Sequence, residues 1–442
     1  MEERDTRKFL TGCLMAGVRA CHPESCLEPH LPALPDNGKI FLLAGGKAAG
    51  AMMKVAVRHY LRLVDKDRIM GAGVGKPDGQ ASMFHMEWIE AGHPVPDEGS
   101  MRGASRVLQL AEQAGENDLV VVLLSGGASS LWSAPVEGVT LADKQELTRQ
   151  LLRSGADIVE INSVRKHLSR IKGGRLAAKA APATMVTLVI SDVVGDDPSF
   201  IASGPGVGDQ TTLHEARAIL KKYQLTPPQS IEEALADPQN ETLAPDDPVF
   251  KKVRTRIIAN GALVLATAAP LLEAGGFQVI NLGDVLAGEA RDVGAEHAQL
   301  VHKYRQQKQP VALLSGGELT VTVRGDGAGG PSQEYALALV DALAKTDEGL
   351  EGIFAISADT DGCDGGEGLI SDPAGALISP STLSRASALK LNTATFLEHN
   401  DSGTFFKKLD DLLITGPTHT NVNDFRLILI NNNETGAGPL SA

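Results

Sequence analysis

The chain has 442 residues, 43% of them hydrophobic and 22% charged, with a net charge of −14. That length exceeds what one core usually holds and points to two domains of ordinary, well-packed composition. The acidic balance argues against nucleic acid or an anionic membrane as the main partner, because both reward positive charge.

Cys13, Cys21, Cys26 and Cys363 show no zinc-type spacing and are too sparse for a disulfide framework, so a reducing, cytoplasmic setting is expected. The charged start MEERDTRKFL lacks an apolar signal core, and no apolar run reaches membrane-spanning length.

Taken in chain order, short apolar runs alternate with helix-like periodicity, which argues for α/β architecture. The first strand, Ile40–Ala44, leads into Gly45-Gly46-Lys47, where glycines permit a sharp turn and a lysine stands at the strand's carboxyl end. A helix is expected over Glu98–Ala114. The strand Leu119–Leu124, apolar on both faces as in a buried parallel sheet, runs into Ser125-Gly126-Gly127-Ala128-Ser129-Ser130. That loop mixes backbone N–H groups with hydroxyls that suit phosphate or carboxylate oxygens.

A helix over Asp143–Ser154 precedes the most informative stretch, Ile161–Ser191. It contains no acid, yet carries Arg165, Lys166, Arg170, Lys172, Arg175 and Lys179, with His167. Arg165 and Lys172 are seven apart and would share one face of a continuous helix, which Gly173 and Gly174 then end. An anionic substrate or nucleotide phosphate is the natural partner, with a basic face turned to an acidic neighbour as the bland alternative. His167 reads as structural.

The strand Met185–Ile190 ends in Ser191-Asp192-Val193-Val194-Gly195-Asp196-Asp197, and Ser203-Gly204-Pro205 follow. Carboxylates at a strand's end suit Mg2+, which takes one or two protein oxygens. The polar, Pro-rich segment Asp237–Pro248 is the expected domain boundary or a long surface connection, followed by a strand at Arg256–Ala259, a helix at Ala262–Ala274 and a strand at Phe277–Leu282. Val311–Leu314 opens an echo of the earlier loop in Ser315-Gly316-Gly317-Glu318. After a helix at Ser332–Leu343, Ile353–Ser357 leads to Asp359-Thr360-Asp361-Gly362-Cys363-Asp364. The spacing there departs from a calcium loop, which excludes an EF-hand. No G-x-x-x-x-G-K-[ST] loop exists. Gly325–Gly330 matches G-x-G-x-x-G after Leu319–Val323, but no ribose-binding acid follows at the right distance.

Together AGGKAAG (44–50), GHPVPDEGS (92–100), LLSGGASSL (123–131), INSVRKHLSRIKGGRLA (161–177), SDVVGDDPSFIASGP (191–205), LLSGGELTV (313–321), GGPSQEYALAL (329–339), DTDGCDG (359–365) and GPTHTNVND (416–424) resemble the glycerate 2-kinases with a MOFRL-type C-terminal domain. The matches run in order along nearly the whole chain. The resemblance implies two α/β domains: a Rossmann-like one with a mostly parallel sheet over 1–240, and a MOFRL-type one over 250–442. The last residues are expected to pack back on the first domain, and the site to lie in the cleft between the two. The implied reaction moves the γ-phosphoryl group of ATP to the 2-hydroxyl of D-glycerate, with Mg2+ or another divalent cation. ATP and glycerate are the implied partners, and a homo-oligomer is compatible with the family.

Lys47 matches a lysine regarded as functional in these kinases. Joined to the residue reading, the resemblance makes Lys47, Arg165, Lys172 and Asp192 the expected catalytic groups. Gly45, Gly46, Ser125, Gly126, Gly127, Ala128, Ser129, Asn162, Lys166, Gly173, Gly174, Ser203, Gly204, Gly316, Gly317 and Glu318 are the expected binding residues. Asp192, Asp196, Asp361 and Asp364 are the expected metal ligands. One departure stands out: the family often reads GGRNQE where this chain has Gly329-Gly330-Pro331-Ser332-Gln333-Glu334, so an arginine proposed to act there is replaced by Pro331. The alternatives are an NAD(P)H-dependent hydroxypyruvate reductase, a label some relatives have carried, and a non-catalytic sensor of sugar acids or nucleotides.

Overall fold

The computed structural model describes residues 3–76 and 85–431, and the chain divides into two compact units. One is Pro23–Ile258; the other joins the segment up to His22 to the chain from Ala259 on. The amino-terminal helix Glu3–Cys21, expected with the first domain, therefore belongs with the second. Its Arg7 pairs with Asp411 at 2.6 Å, and the Thr420 hydroxyl donates to Cys21 O at 3.0 Å. Residues 432–442, expected to pack back on the first domain, lie outside the described residues.

The unit Pro23–Ile258 is built on six strands: β1 (Ile40–Gly45), β2 (Ile69–Gly75), β3 (Glu87–Glu90), β4 (Leu119–Leu124), β5 (Thr184–Ile190) and β6 (Val253–Ala259). They lie in the order β3-β2-β1-β4-β5-β6, with every pair from β3 to β5 parallel. β1 and β4 are buried along their whole length, which is why they read as unbroken apolar runs. The chain works outward from β1 to β3, then returns to β4 on the other side of β1. This reversal opens a crevice at the carboxyl ends of β1 and β4, the place where open α/β sheets bind ligands. β6 takes in the strand expected at Arg256–Ala259, and the division falls at its last residue, between Ile258 and Ala259, rather than within Asp237–Pro248. That segment instead packs into the first unit, with Leu243 N–H donating to Gly173 O.

The helices begin where capping chemistry places them. Asp97 and Ser100 form a capping box at Glu98–Glu112, Thr140 and Asp143 at Leu141–Ser154, and Asp157 and Glu160 at Ile158–His167. The last two helices share a satellite core of Leu147, Leu151, Ile161, Val164 and Leu168.

The other unit carries β7 (Gln278–Asn281), β8 (Ala287–Glu289), β9 (Val311–Ser315), β10 (Glu318–Thr320), β11 (Ile353–Asp359), β12 (Gly375–Ile378), β13 (Leu412–Leu413) and β14 (Asp424–Ile430). Its main sheet runs β13-β12-β11-β14-β9-β7; only β7–β9 is parallel there. β8 and β10 form a separate parallel pair. The G-x-G-x-x-G segment follows this short pair rather than a strand of the main sheet, so it is not the turn of a dinucleotide-binding βαβ unit.

Candidate active site

At the topological switch point the loops after β1 and β4 clasp each other. Lys47 N–H donates to Gly126 O at 2.8 Å, Ala48 N–H to Ser125 Oγ at 2.9 Å, and Ser125 N–H to Gly45 O at 3.1 Å. Gly46 has φ 128°, and a Cβ there would lie 2.2 Å from Ser125 Oγ, so only glycine allows the contact. Gly127 has φ 83° beneath the His93 imidazole, which a Cβ would meet at 2.7 Å. Among the described residues the N–H groups of Gly126 and Gly127 donate to no other group of the protein. Two unspent donors and the half-buried Lys47 thus stand at the strand ends.

The basic stretch reaches the same loop. Lys172, 1% exposed, donates from Nζ to Ser129 O at 2.8 Å and to Ala202 O at 3.4 Å. Ser129 and Ser203 hydroxyls are 3.0 Å apart, and Ser203 Oγ donates to Asn162 Oδ1 at 3.3 Å. Gly173 and Gly174 N–H groups hold the carbonyls of Ser203 and Gly204 at 3.1 and 2.8 Å. Ser125–Ser129, Asn162, Lys172–Gly174 and Ser203–Gly204 are therefore one hydrogen-bonded assembly around the switch point.

The helix expected to join Arg165 to Lys172 ends at His167, because a tight turn intervenes before Gly173. Tertiary folding still keeps the two charges close. Burial, the Arg165 guanidinium and the Lys144 ammonium push Lys172 well below the usual lysine range. Lys144, on the Leu147–Leu151 face of its helix, is pushed down to about 7 by burial and by Arg165. Arg165 is lowered by burial and has no hydrogen-bonding or ionic partner among the described residues. Among the described residues no carboxylate acts on any of the three, so the cluster has the charge an anion site requires. Lys144 was not foreseen: LADKQELTRQ reads as a solvated helix of mixed charge.

Other expectations are corrected. Lys166 is buried and ion-paired to Asp209 at 3.2 Å, so its charge is already neutralised. His167 is fully buried between Ser163 O at 2.8 Å and Glu241 Oε1 at 2.9 Å, a structural role. Asp192 follows the end of β5, the strand beside β4; Asp192 and Asp196 are half-buried, Asp196 with φ 55°. A divalent cation at this strand end would draw protein oxygens from these carboxylates and complete its shell with water and phosphate oxygens. No group of three or more metal-ligating side chains occurs among the described residues.

The remaining candidates belong to the other unit. Asp364 is 3% exposed and caps the helix Pro331–Leu343: Oδ1 accepts from Ser332 N–H at 3.0 Å, and Oδ2 from Gln333 N–H at 2.8 Å and Gln333 Nε2 at 2.9 Å. Burial and the nearby Asp424 carboxylate raise its pKa to about 7 against those donors. Both of its oxygens already accept hydrogen bonds at a helix end. Asp361 is half-buried, and its side chain accepts from Cys363 N–H at 2.9 Å in a turn. Gly316 O accepts from the buried Arg426, Gly317 O accepts from Asp424 N–H at 3.1 Å, and Glu318 is exposed at the start of β10. The Ser-Gly-Gly echo is thus not a second switch point, since β9 lies between antiparallel β14 and parallel β7. Pro331 occupies the first turn of its helix, where its missing N–H costs nothing.

Comparison with known proteins matches one family to most of the first unit, together with part of the amino-terminal helix, and another to the second. The family described as "Domain of unknown function (DUF4147)" matches residues 9–236, and the MOFRL family matches 311–424. A protein of Agrobacterium vitis, provisionally named hydroxypyruvate reductase, is 44% identical over 403 residues, 89% of this chain and 100% of its own. The D-glycerate 2-kinase of Thermotoga maritima is 40% identical over 428 residues, 96% of this chain and 98% of its own. A crystal structure of a Thermotoga maritima glycerate kinase has a TM-score of 0.85 at 38% identity, covering 97% of this chain and all of that one.

Proposed function

Because the chain belongs to the two-domain DUF4147–MOFRL glycerate kinase family, we infer that it transfers the γ-phosphoryl group of ATP to the 2-hydroxyl of D-glycerate. The carrying observation is the crevice at β1 and β4, where Lys47, two unspent glycine N–H groups and Lys172 meet at one pair of loops, with Arg165 and Lys144 as electrostatic neighbours of Lys172. Both substrates are anions, and phosphoryl transfer needs positioning and charge neutralisation more than covalent help from the protein.

In this reading Gly126 and Gly127 N–H groups and Lys47 hold phosphoryl oxygens, while Arg165, Lys172 and Lys144 bind the remaining negative charge, including the glycerate carboxylate. Ser129 and Ser203, tied to Asn162, orient polar oxygens beside them. Asp192 and Asp196 hold Mg2+, which when bound offsets phosphate charge. Whichever of the two carboxylates faces the glycerate hydroxyl orients it for attack.

The reductase reading carried by the names of some relatives finds no dinucleotide fingerprint after β1. A dinucleotide fingerprint needs a second glycine two residues after the first, so that the backbone can approach the pyrophosphate. After Gly45 that position is Lys47. Incubation with D-glycerate, ATP and Mg2+ tests the kinase reading: ADP and phosphoglycerate should appear in equal amounts. NADH oxidation by hydroxypyruvate without ATP would instead restore the reductase.

A further inference from the structure

A cavity of about 580 Å³ in the unit Pro23–Ile258 is lined by residues from the same segments that build the cationic crevice. The segment that carries Ser203 to Ser129 also puts Ser199 and Phe200 into the cavity wall. The helix that turns Asn162 toward Ser203 puts Val159 and Lys166 there as well. The size is within the range of small-molecule sites, roughly 300–1,000 Å³.

Its chemistry differs from the crevice. Lys166 is the only cation of the lining and is paired with Asp209; with Asp197, the lining is formally negative. A carboxylate or phosphate ligand is therefore disfavoured. Phe200, Phe250, Val207 and Val253 supply flat apolar walls. Asp209, 4% exposed, spends Oδ1 on Lys166 and on Thr211 N–H and hydroxyl, while its Oδ2 accepts nothing. The buried Thr255 hydroxyl also lacks a partner. Buried polar atoms left in this way mark places where a bound group or water completes the bonding.

We propose that this cavity receives the nucleoside moiety of ATP, with the base between apolar walls and its N–H or ribose O–H groups directed to Asp209 and Thr255. The proposal rests on the kinase reading: a nucleotide whose phosphates occupy the cationic crevice has one neutral, ring-bearing, donor-rich part left to place.

Equilibrium binding of adenosine and of ADP to the full chain tests it, using wild type, Thr255→Val and Val159→Trp. Val159 is half-exposed on its helix, so tryptophan there fills the cavity mouth without entering the core. Thr255→Val keeps the shape and should weaken both ligands about fivefold, the worth of one hydrogen bond. Val159→Trp should weaken both more than about tenfold by occlusion. KM for glycerate should move less than about twofold in either variant. Unchanged ADP binding in both variants, or ADP binding by a wild type that does not bind adenosine, overturns the assignment while leaving phosphoryl transfer intact. A wild type that neither binds adenine nucleotides nor forms phosphoglycerate overturns this proposal and the kinase reading together.

Discussion

Lys47 has its backbone N–H fixed on Gly126 O and is half-exposed. Removing the ammonium leaves that clasp intact. Lys47→Ala should therefore fold normally, by circular dichroism and thermal melting, and lose at least about tenfold in kcat. Lys144 carries a pH prediction. Its ammonium, held near 7 by burial and Arg165, must be charged to help bind an anion. Glycerate binding then takes up a proton above pH 7, so KM for glycerate should rise with pH, by at most about tenfold per unit. Lys144→Arg, which stays charged, should flatten the rise. At this scale the sequence was a partial guide. The loop Gly45-Gly46-Lys47 could be singled out because a lysine and paired glycines follow an apolar strand, although such glycines also make plain strand–helix turns. The pairing of Lys166 could not be, since its neutralising partner Asp209 lies 43 residues away and only folding brings them together. Lys144 was hidden for the opposite reason: nothing local shows that its neighbourhood lacks acids.

Among the elements, the parallel strands were plain to read where both faces are buried, as in LVVVLL. β14, DFRLILI, escaped the same reading although it is buried throughout. Its Asp424 and Arg426 look like surface charges, but they pair with each other at 2.7 Å inside the sheet. The helix Pro331–Leu343 shows a similar substitution of distant for local chemistry. Gly330, at its start, has no side chain to cap it, and Asp364 takes that task from another loop. Asp364→Ala should lower stability by about 1–3 kcal/mol at pH 6, measured by denaturant midpoint. Because the folded pKa is raised to about 7, the stabilisation present in acid is lost as pH rises through that value. The gap between wild type and Asp364→Ala should accordingly narrow by pH 8.

At the scale of the whole molecule, two α/β domains were legible from length and alternation, whereas their membership was not. A helix at the start of a chain carries no local mark of which core it will join. Here Gly17 decides the packing: a Cβ would come within 2.4 Å of Val264 Cγ1 on the helix Gly261–Ala274. Gly17→Leu should cost about 2–3 kcal/mol through overpacking, more than the roughly 1 kcal/mol gained by removing a helical glycine. Amide exchange should quicken in β9, β11 and β14 and stay unchanged in β1, β4 and β5. The reversed order of the first sheet is likewise absent from any local pattern, yet it brings Lys47 to Gly126.

The central claim, phosphorylation of the glycerate 2-hydroxyl at this crevice, is tested most directly by coupling the reaction with ATP and Mg2+ to enolase and pyruvate kinase, without phosphoglycerate mutase. Wild type should give pyruvate at once, because 2-phosphoglycerate feeds enolase directly, and Lys47→Ala should give at least about tenfold less. A signal that appears only when mutase is added would mean phosphorylation of the 3-hydroxyl. No phosphorylated product from folded protein would contradict the account altogether.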